Sequence, residues 1–193
     1  MLLALVPGPD NVFVLLHAAV HGARAGLLVV LGLCSGLLFH TAAVALGLAA
    51  LLATSSEAFA ALKALGAAYL LWLAWLSWRA PAGLGKGESM PILGARKTYL
   101  RGVLMNVSNP KVALFFLAFL PQFVEPSSGP VAMQILLLGG VFMLATLLTF
   151  GAIALLAGRF GRLLQDSPKA QVGLNRLASV VFAGLAFRLI LGS

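Results

Sequence analysis

The chain has 193 residues, of which 61% are apolar and 9% charged, with a formal net charge of +8. A soluble domain carries roughly a quarter charged residues, so this one cannot cover itself with polar surface and the bilayer is its solvent. The positive charge does not point to nucleic acid, because the basic residues fall between apolar runs rather than along one face.

The apolar runs follow in order as Met1–Val20, Leu27–Ala53, Ala58–Trp78, Thr98–Val124, Val131–Ala157 and Val172–Leu191. Each approaches the ~20 residues that a helix needs to cross a membrane. They lack the alternation of barrel strands, and only closed hydrogen bonding survives in lipid. The expected fold is therefore an all-α integral membrane protein of six transmembrane helices. Met1–Val6 has no basic stretch and is too short for a signal-peptide core.

Two of the runs are interrupted. The first breaks at "PGPDN" (Pro7–Asn11) and the fourth at "SNPK" (Ser108–Lys111). Proline inside a helix removes a hydrogen bond and clashes with the preceding turn, but it is welcome at the first position of a new helix. Pro9 and Pro110 thus each begin a half-helix near mid-span, with Gly8 and Asn109 ahead of them as caps.

The connections set the orientation. The first, third and fifth carry Arg24; then Arg79, Lys86, Arg96, Lys97 and Arg101; then Arg159, Arg162, Lys169 and Arg176. The second and fourth carry Glu57 and Glu125 with only Lys63. The positive-inside rule makes the basic connections cytoplasmic and puts both termini outside. Trp72, Trp75 and Trp78 approach the cytoplasmic end of the third helix, as interfacial aromatics do.

The segment Ala80–Pro91 is rich in glycine and proline and reads as a linker between halves. The expected division is 1–79 as a first three-helix repeat, 80–97 as a cytoplasmic linker and 98–193 as a second repeat. "GLAALLA" (Gly47–Ala53) matches "GAIALLA" (Gly151–Ala157), Gly36 pairs with Gly140, and Pro9 pairs with Pro110. An odd number of helices per repeat inverts the second copy, a recurrent plan of secondary transporters.

The inverted symmetry brings the two breaks together. Half-helix N-termini offer free N–H groups and partial positive charge, which suit a carboxylate. The next residues are Asp10 and Lys111, equivalent in position and opposite in charge. A charge at mid-span costs about 2.5–3.5 kcal/mol to insert. Asp10 can be read as an acid favouring the first helical turn. Lys111 opposes the dipole there, and snorkelling from mid-span is hard, so helix stability does not explain it. Asn11, Asn106, Asn109 and Gln122 add polar groups on the same segments, where capping and helix–helix bonding are the plainer roles.

His40 lies near the middle of the second helix beside Thr41; it is either bonded to a neighbouring helix or a proton-carrying, substrate-facing group. Gly32 and Gly36 form a GxxxG pattern that permits close helix contact. His17 and His21, toward the cytoplasmic end of the first helix, receive no role. Cys34, the only cysteine, forms no intrachain disulfide and reads as a small buried hydrophobe. There is no Walker A loop, nucleophile elbow or His/Cys cluster, so no metal, cofactor or enzymatic activity is expected.

At "PGPDN", the helix-2 GxxxG, "LGAAYL" (Leu65–Leu70) and "NPKVALFFLAFLPQF" (Asn109–Phe123) the sequence resembles the LysE/RhtB family of amino-acid exporters, over nearly its whole length. The family has a longer lead-in before PGP, so the resemblance leads one to expect residues ahead of Met1. The resemblance implies export of amino acids or their derivatives across the bacterial inner membrane, driven by protons. Family substrates include lysine and arginine, homoserine and threonine, cysteine derivatives, and leucine. A site with one acid and one base suits a zwitterion and favours the neutral ones. The expected substrate-binding residues are Gly8, Pro9, Asp10, Asn11, His40, Asn106, Asn109, Pro110, Lys111 and Gln122, with Asp10 and His40 coupling to protons. The expected partners are an amino acid, protons, the lipid bilayer and a second copy of the chain. A small-ion exporter or channel of the same shape is the alternative. A membrane-embedded enzyme would have only His40 and Asp10 to work with.

Overall fold

A computed structural model of the chain describes residues 9–54, 56–80, 93–165 and 167–191. Gly8 and the first half of the first run, and the linker from residue 81 to 92 with Lys86, lie outside the described residues.

Seven α-helices are formed, and no strand is present among the described residues. Helix α1 (Pro9–His21) starts at the first predicted break, with Asp10 in its opening turn. Gly22 alone connects it to α2 (Ala23–Thr54). Its N–H caps the Ala18 carbonyl at 2.9 Å and its φ is +86°, a left-handed value suited to glycine at a helix end. Helix α3 is Ser56–Arg79.

Helix α4 (Ala95–Val107) ends at the second break, and α5 (Pro110–Leu114) follows at a bend of 49°. Beyond α5 the chain winds through a π turn (Phe115–Phe119) and a 3₁₀ turn (Leu120–Phe123). Helices α6 (Val131–Gln165) and α7 (Pro168–Leu191) complete the fold.

Four helices are long and apolar enough to cross a membrane, and the bent pair α4–α5 makes a fifth. The described part of α1 has 13 residues, short of the ~20 of a span. A sixth span depends on residues ahead of Pro9, outside those described. The predicted half-helix after Pro110 is also less regular than a plain α-helix, because its α-helical part lasts five residues before the π turn.

Helix α2 is the central one: 56% of its span is buried, against 22–28% for the other three. It packs on α1, α4 and α6, while α3 packs on α7 and α1 on α6. The GxxxG of α2 works as expected. A side chain at Gly32 would collide with the α4 backbone at Tyr99 and Gly102, and one at Gly36 would meet Asn106. Close approach therefore needs both positions bare. Tyr99 Oη donates to Ser35 Oγ at 2.7 Å across the same seam. Gly140, paired with Gly36 by sequence, faces open space; its neighbour Gly139 is the one pressed against Thr41 of α2.

Two apolar clusters fill the interior. One joins α2, α3, the Pro110–Leu120 segment, α6 and α7 around Phe116 and Phe182. The other joins α1, α2 and α6 around Val14, Leu33 and Ala154. Trp72, Trp75 and Trp78 stay half-exposed on α3, and Arg79 lies 4.5 Å over the Trp75 ring.

Candidate functional site

Pro110 explains the site from the backbone upward. It has no N–H to give the Asn106 carbonyl, its usual partner one turn back. That carbonyl accepts instead from Asn109 N–H at 3.0 Å and from His40 Nε2 at 3.2 Å. A carbonyl only accepts, so His40 carries its proton on Nε2 in this arrangement. The break in one span is repaired by a side chain from another, so His40 is bonded to a neighbouring helix.

Asn109 caps the new helix as expected. Its Oδ1 accepts from Lys111 N–H at 3.0 Å, and Pro110 takes the first helical position. Asn106 Nδ2 reaches Asp10 Oδ2 at 3.4 Å. The two breaks therefore do come together: Asp10, His40, Asn106, Asn109 and Lys111 are all buried, and Asp10 interacts electrostatically with Lys111 and His40. Asn11 is buried beside Asp10 on α1.

Lys111 does not run to the surface. It is 8% exposed, with Nζ 5.9 Å from the centre of the Phe182 ring. Along α7, Arg176 stacks on Trp78 at one end and Arg188 on Phe123 at the other, with Phe182 midway between them. That fixes the charged pair at the middle of the apolar stretch Gln171–Leu191.

Three polar atoms of this cluster, Asp10 Oδ1, Asn106 Oδ1 and Asn109 Nδ2, make no hydrogen bond within 3.5 Å among the described residues, although the Asn109 side chain also interacts with the Asp10 carboxylate. Two accept and one donates. Each such atom costs about 1–3 kcal/mol while unmet, so their convergence marks a place for a polar guest. No group of three or more metal-ligating side chains exists among the described residues.

The family model for LysE type translocators matches residues 1–193. The chain belongs to that family. A homoserine/homoserine lactone efflux protein of Salmonella typhimurium is 32% identical, over 94% of this chain and 87% of the relative. A leucine efflux protein of an Enterobacter species is 29% identical, over 97% and 89%. An uncharacterized membrane protein of Vibrio cholerae is 32% identical, over 94% and 87%. No solved structure matches the chain. This LysE-type protein is thus a membrane transport protein rather than an enzyme, and two of the relatives above are named for homoserine/homoserine lactone and leucine efflux.

One sequence-predicted residue stands apart from the cluster. Gln122 lies beyond the π turn, and its Nε2 turns back onto the Ala118 carbonyl at 3.2 Å. Pro9 opens α1, and Gly8 lies outside the described residues. Sequence reasoning also missed a group on the same translocator helix. His17 is buried, stacked on Phe13 with ring centroids 5.2 Å apart, and edge-on to His21 at 4.7 Å. The Arg101 guanidinium of α4 covers Phe13 at 4.9 Å. The available signal was the spacing of the two histidines from Asp10.

Proposed function

We propose that the protein exports neutral amino acids, of the homoserine, threonine or leucine kind, from the bacterial cytoplasm in exchange for protons. The observation that carries this reading is the buried pair of Asp10 and Lys111, one from each chain break, ringed by polar side chains of which three atoms make no hydrogen bond within 3.5 Å among the described residues. A zwitterion matches that inventory. Its ammonium meets Asp10 and the Asn106 Oδ1 acceptor; its carboxylate meets Lys111 and the Asn109 Nδ2 donor. The relatives named for homoserine and leucine efflux support the choice of substrate.

Without substrate, Asp10 and Lys111 neutralise each other, since a lone buried charge is far more costly than a pair. A proton reaching Asp10 from outside removes the ammonium's counter-ion and releases the amino acid. Loss of that proton to the cytoplasm resets the site. His40 holds the broken span in place and lies close enough to share in the proton's field.

The reading also takes the chain as two inverted three-helix repeats, 1–79 and 98–193, joined by a cytoplasmic linker, with both termini outside the inner membrane. The packing supports this. Exchange of the halves turns α2 on α4 into α6 on α1, and it leaves the pairs α2–α6 and α3–α7 unchanged. All four contacts are made.

The test is uptake of labelled homoserine and leucine into inverted vesicles. Accumulation should rise with an imposed proton gradient and collapse with an uncoupler. Accumulation unchanged by the uncoupler would replace antiport with facilitated diffusion. Movement of small ions without amino acids would make the protein an ion exporter or channel.

A further inference from the structure

The two histidines of α1, His17 buried and His21 half-buried, fall in line with the charged site. At 3.6 residues per turn, positions seven and eleven beyond Asp10 return to within about 20° of the same helix face. These are His17 and His21. They stand about 10 and 16 Å along the axis from Asp10, toward the C-terminal end of the helix. Side chains lean toward the helix N-terminus, so each imidazole tilts back in the direction of the carboxylate.

Neither histidine is held as a structural histidine would be. His17 Nδ1 and His21 Nε2 are buried and meet no hydrogen-bond partner among the described residues. Buried polar atoms of that kind call for a role beyond packing. The apolar cluster that α1 enters through Phe13, Val14 and Ala18 lies on the same helix. α2 supplies Val29, Val30, Leu33 and Cys34, and α6 supplies Phe150, Ala154 and Ala157. The charged group facing them from α4 is Arg101, which interacts with His17 and is itself exposed. Arg24 follows in the first turn of α2. One end of the row thus lies at the buried Asp10, and the other, at His21, lies three residues from the exposed Arg24.

We infer that His17 and His21 carry the coupling proton between Asp10 and the membrane face at the C-terminal end of α1. Imidazole is the side chain that takes and gives protons near neutral pH, and it can do both at once through its two nitrogens. A proton bound at one nitrogen of His17 displaces the proton of the other toward His21, which passes its own to water at the C-terminal end of α1; each ring is neutral again after the transfer. The Phe13 ring, stacked on His17 and covered by Arg101, fills the space between the row and the site. Water joins the two when that ring swings aside. The inference rests on the antiport reading above, with this face as the cytoplasmic one.

The experiment uses the full chain in liposomes, with labelled homoserine and leucine as probes. Two rates are measured at matched protein content: exchange of labelled for unlabelled amino acid without a gradient, and accumulation driven by a pH gradient. Exchange needs no net proton movement. In His17→Gln, His21→Gln and the double variant, exchange should stay within about twofold of wild type, while driven accumulation falls about a hundredfold or more, the lower range for a lost positioned proton carrier. Wild-type accumulation in the double variant would overturn the relay and leave antiport intact. An equal loss of both rates in His21→Gln, which sits at the end of α1 where a fold defect is least expected, would also overturn it. A wild-type protein that exchanges but ignores the gradient would sink antiport itself, and the relay with it.

Discussion

At the residue scale the heaviest demand falls on Lys111. It is a cation within the apolar interior, opposite Asp10 and beneath Phe182. Lys111→Ala should abolish transport of homoserine and leucine at matched membrane abundance. Stranding Asp10 should also lower stability, by about 3–5 kcal/mol if the acid stays ionised, read as a lower melting temperature in detergent. The double variant Lys111→Ala with Asp10→Asn should recover much of that stability and none of the transport. Asp10→Asn alone should still bind amino acid while its transport loses dependence on the pH gradient. Wild-type rates in Lys111→Ala would reduce the pair to a structural counter-ion. This pair was readable in the sequence, because each charge follows a proline inside an apolar run and helix stability does not account for the lysine. The His17–His21 row was not. Histidine is common enough as a satisfied core residue that only the unpartnered nitrogens and the Phe13 and Arg101 contacts give the spacing its meaning.

The elements bring these residues together through two backbone devices, glycines that let α2 and α4 touch and a proline that frees a carbonyl. At Gly36, an added methyl would stand 2.6 Å from Asn106 Cβ and 2.7 Å from its Oδ1. Gly36→Ala should therefore push Asn106 off Asp10 and cut transport about tenfold or more, the effect of misplacing a positioning group by roughly an ångström. Gly140→Ala, in open space, should transport as wild type. Equal rates in the two variants would show that the α2–α4 crossing does not position the site. Helix positions were legible because apolar runs of membrane length leave little choice. The observed α2, α3, α6 and α7 begin and end within a few residues of the expected runs, except that α6 continues past Ala157 to Gln165. The π turn at Phe115–Phe119 was not legible. No residue preference announces it, and it arises where four of its five side chains, Phe115, Phe116, Ala118 and Phe119, must fit a crowded core.

Across the whole molecule, the proposed inverted arrangement ties orientation to function. If α1 ends on the cytoplasmic side, single cysteines placed at Lys86, Gly87 or Glu88 should be shielded from an impermeant thiol reagent in intact cells and react after lysis. The native Cys34 is buried, which keeps the background low. Labelling from outside would reverse the molecule and turn export into uptake. The order of helices and their loop charges carried this expectation from sequence. The close packing that fixes the site did not show in the sequence beyond its glycines, because apolar side chains in lipid lack the periodic contrast that marks a buried face in water.

The 49° bend between α4 and α5 makes that span two limbs on a joint, with the charged pair at the joint. The outer limb, Pro110–Phe123, is about 20 Å long at the usual helical rise. Turning it by about ten degrees at the joint sweeps its far end through about 3.5 Å, wider than a water molecule. At the proposed site, a guest that shifted Lys111 by a few tenths of an ångström would work the short arm of a lever. Arg188 and Phe123 sit at the long one, where the stroke is large enough to open or shut a door.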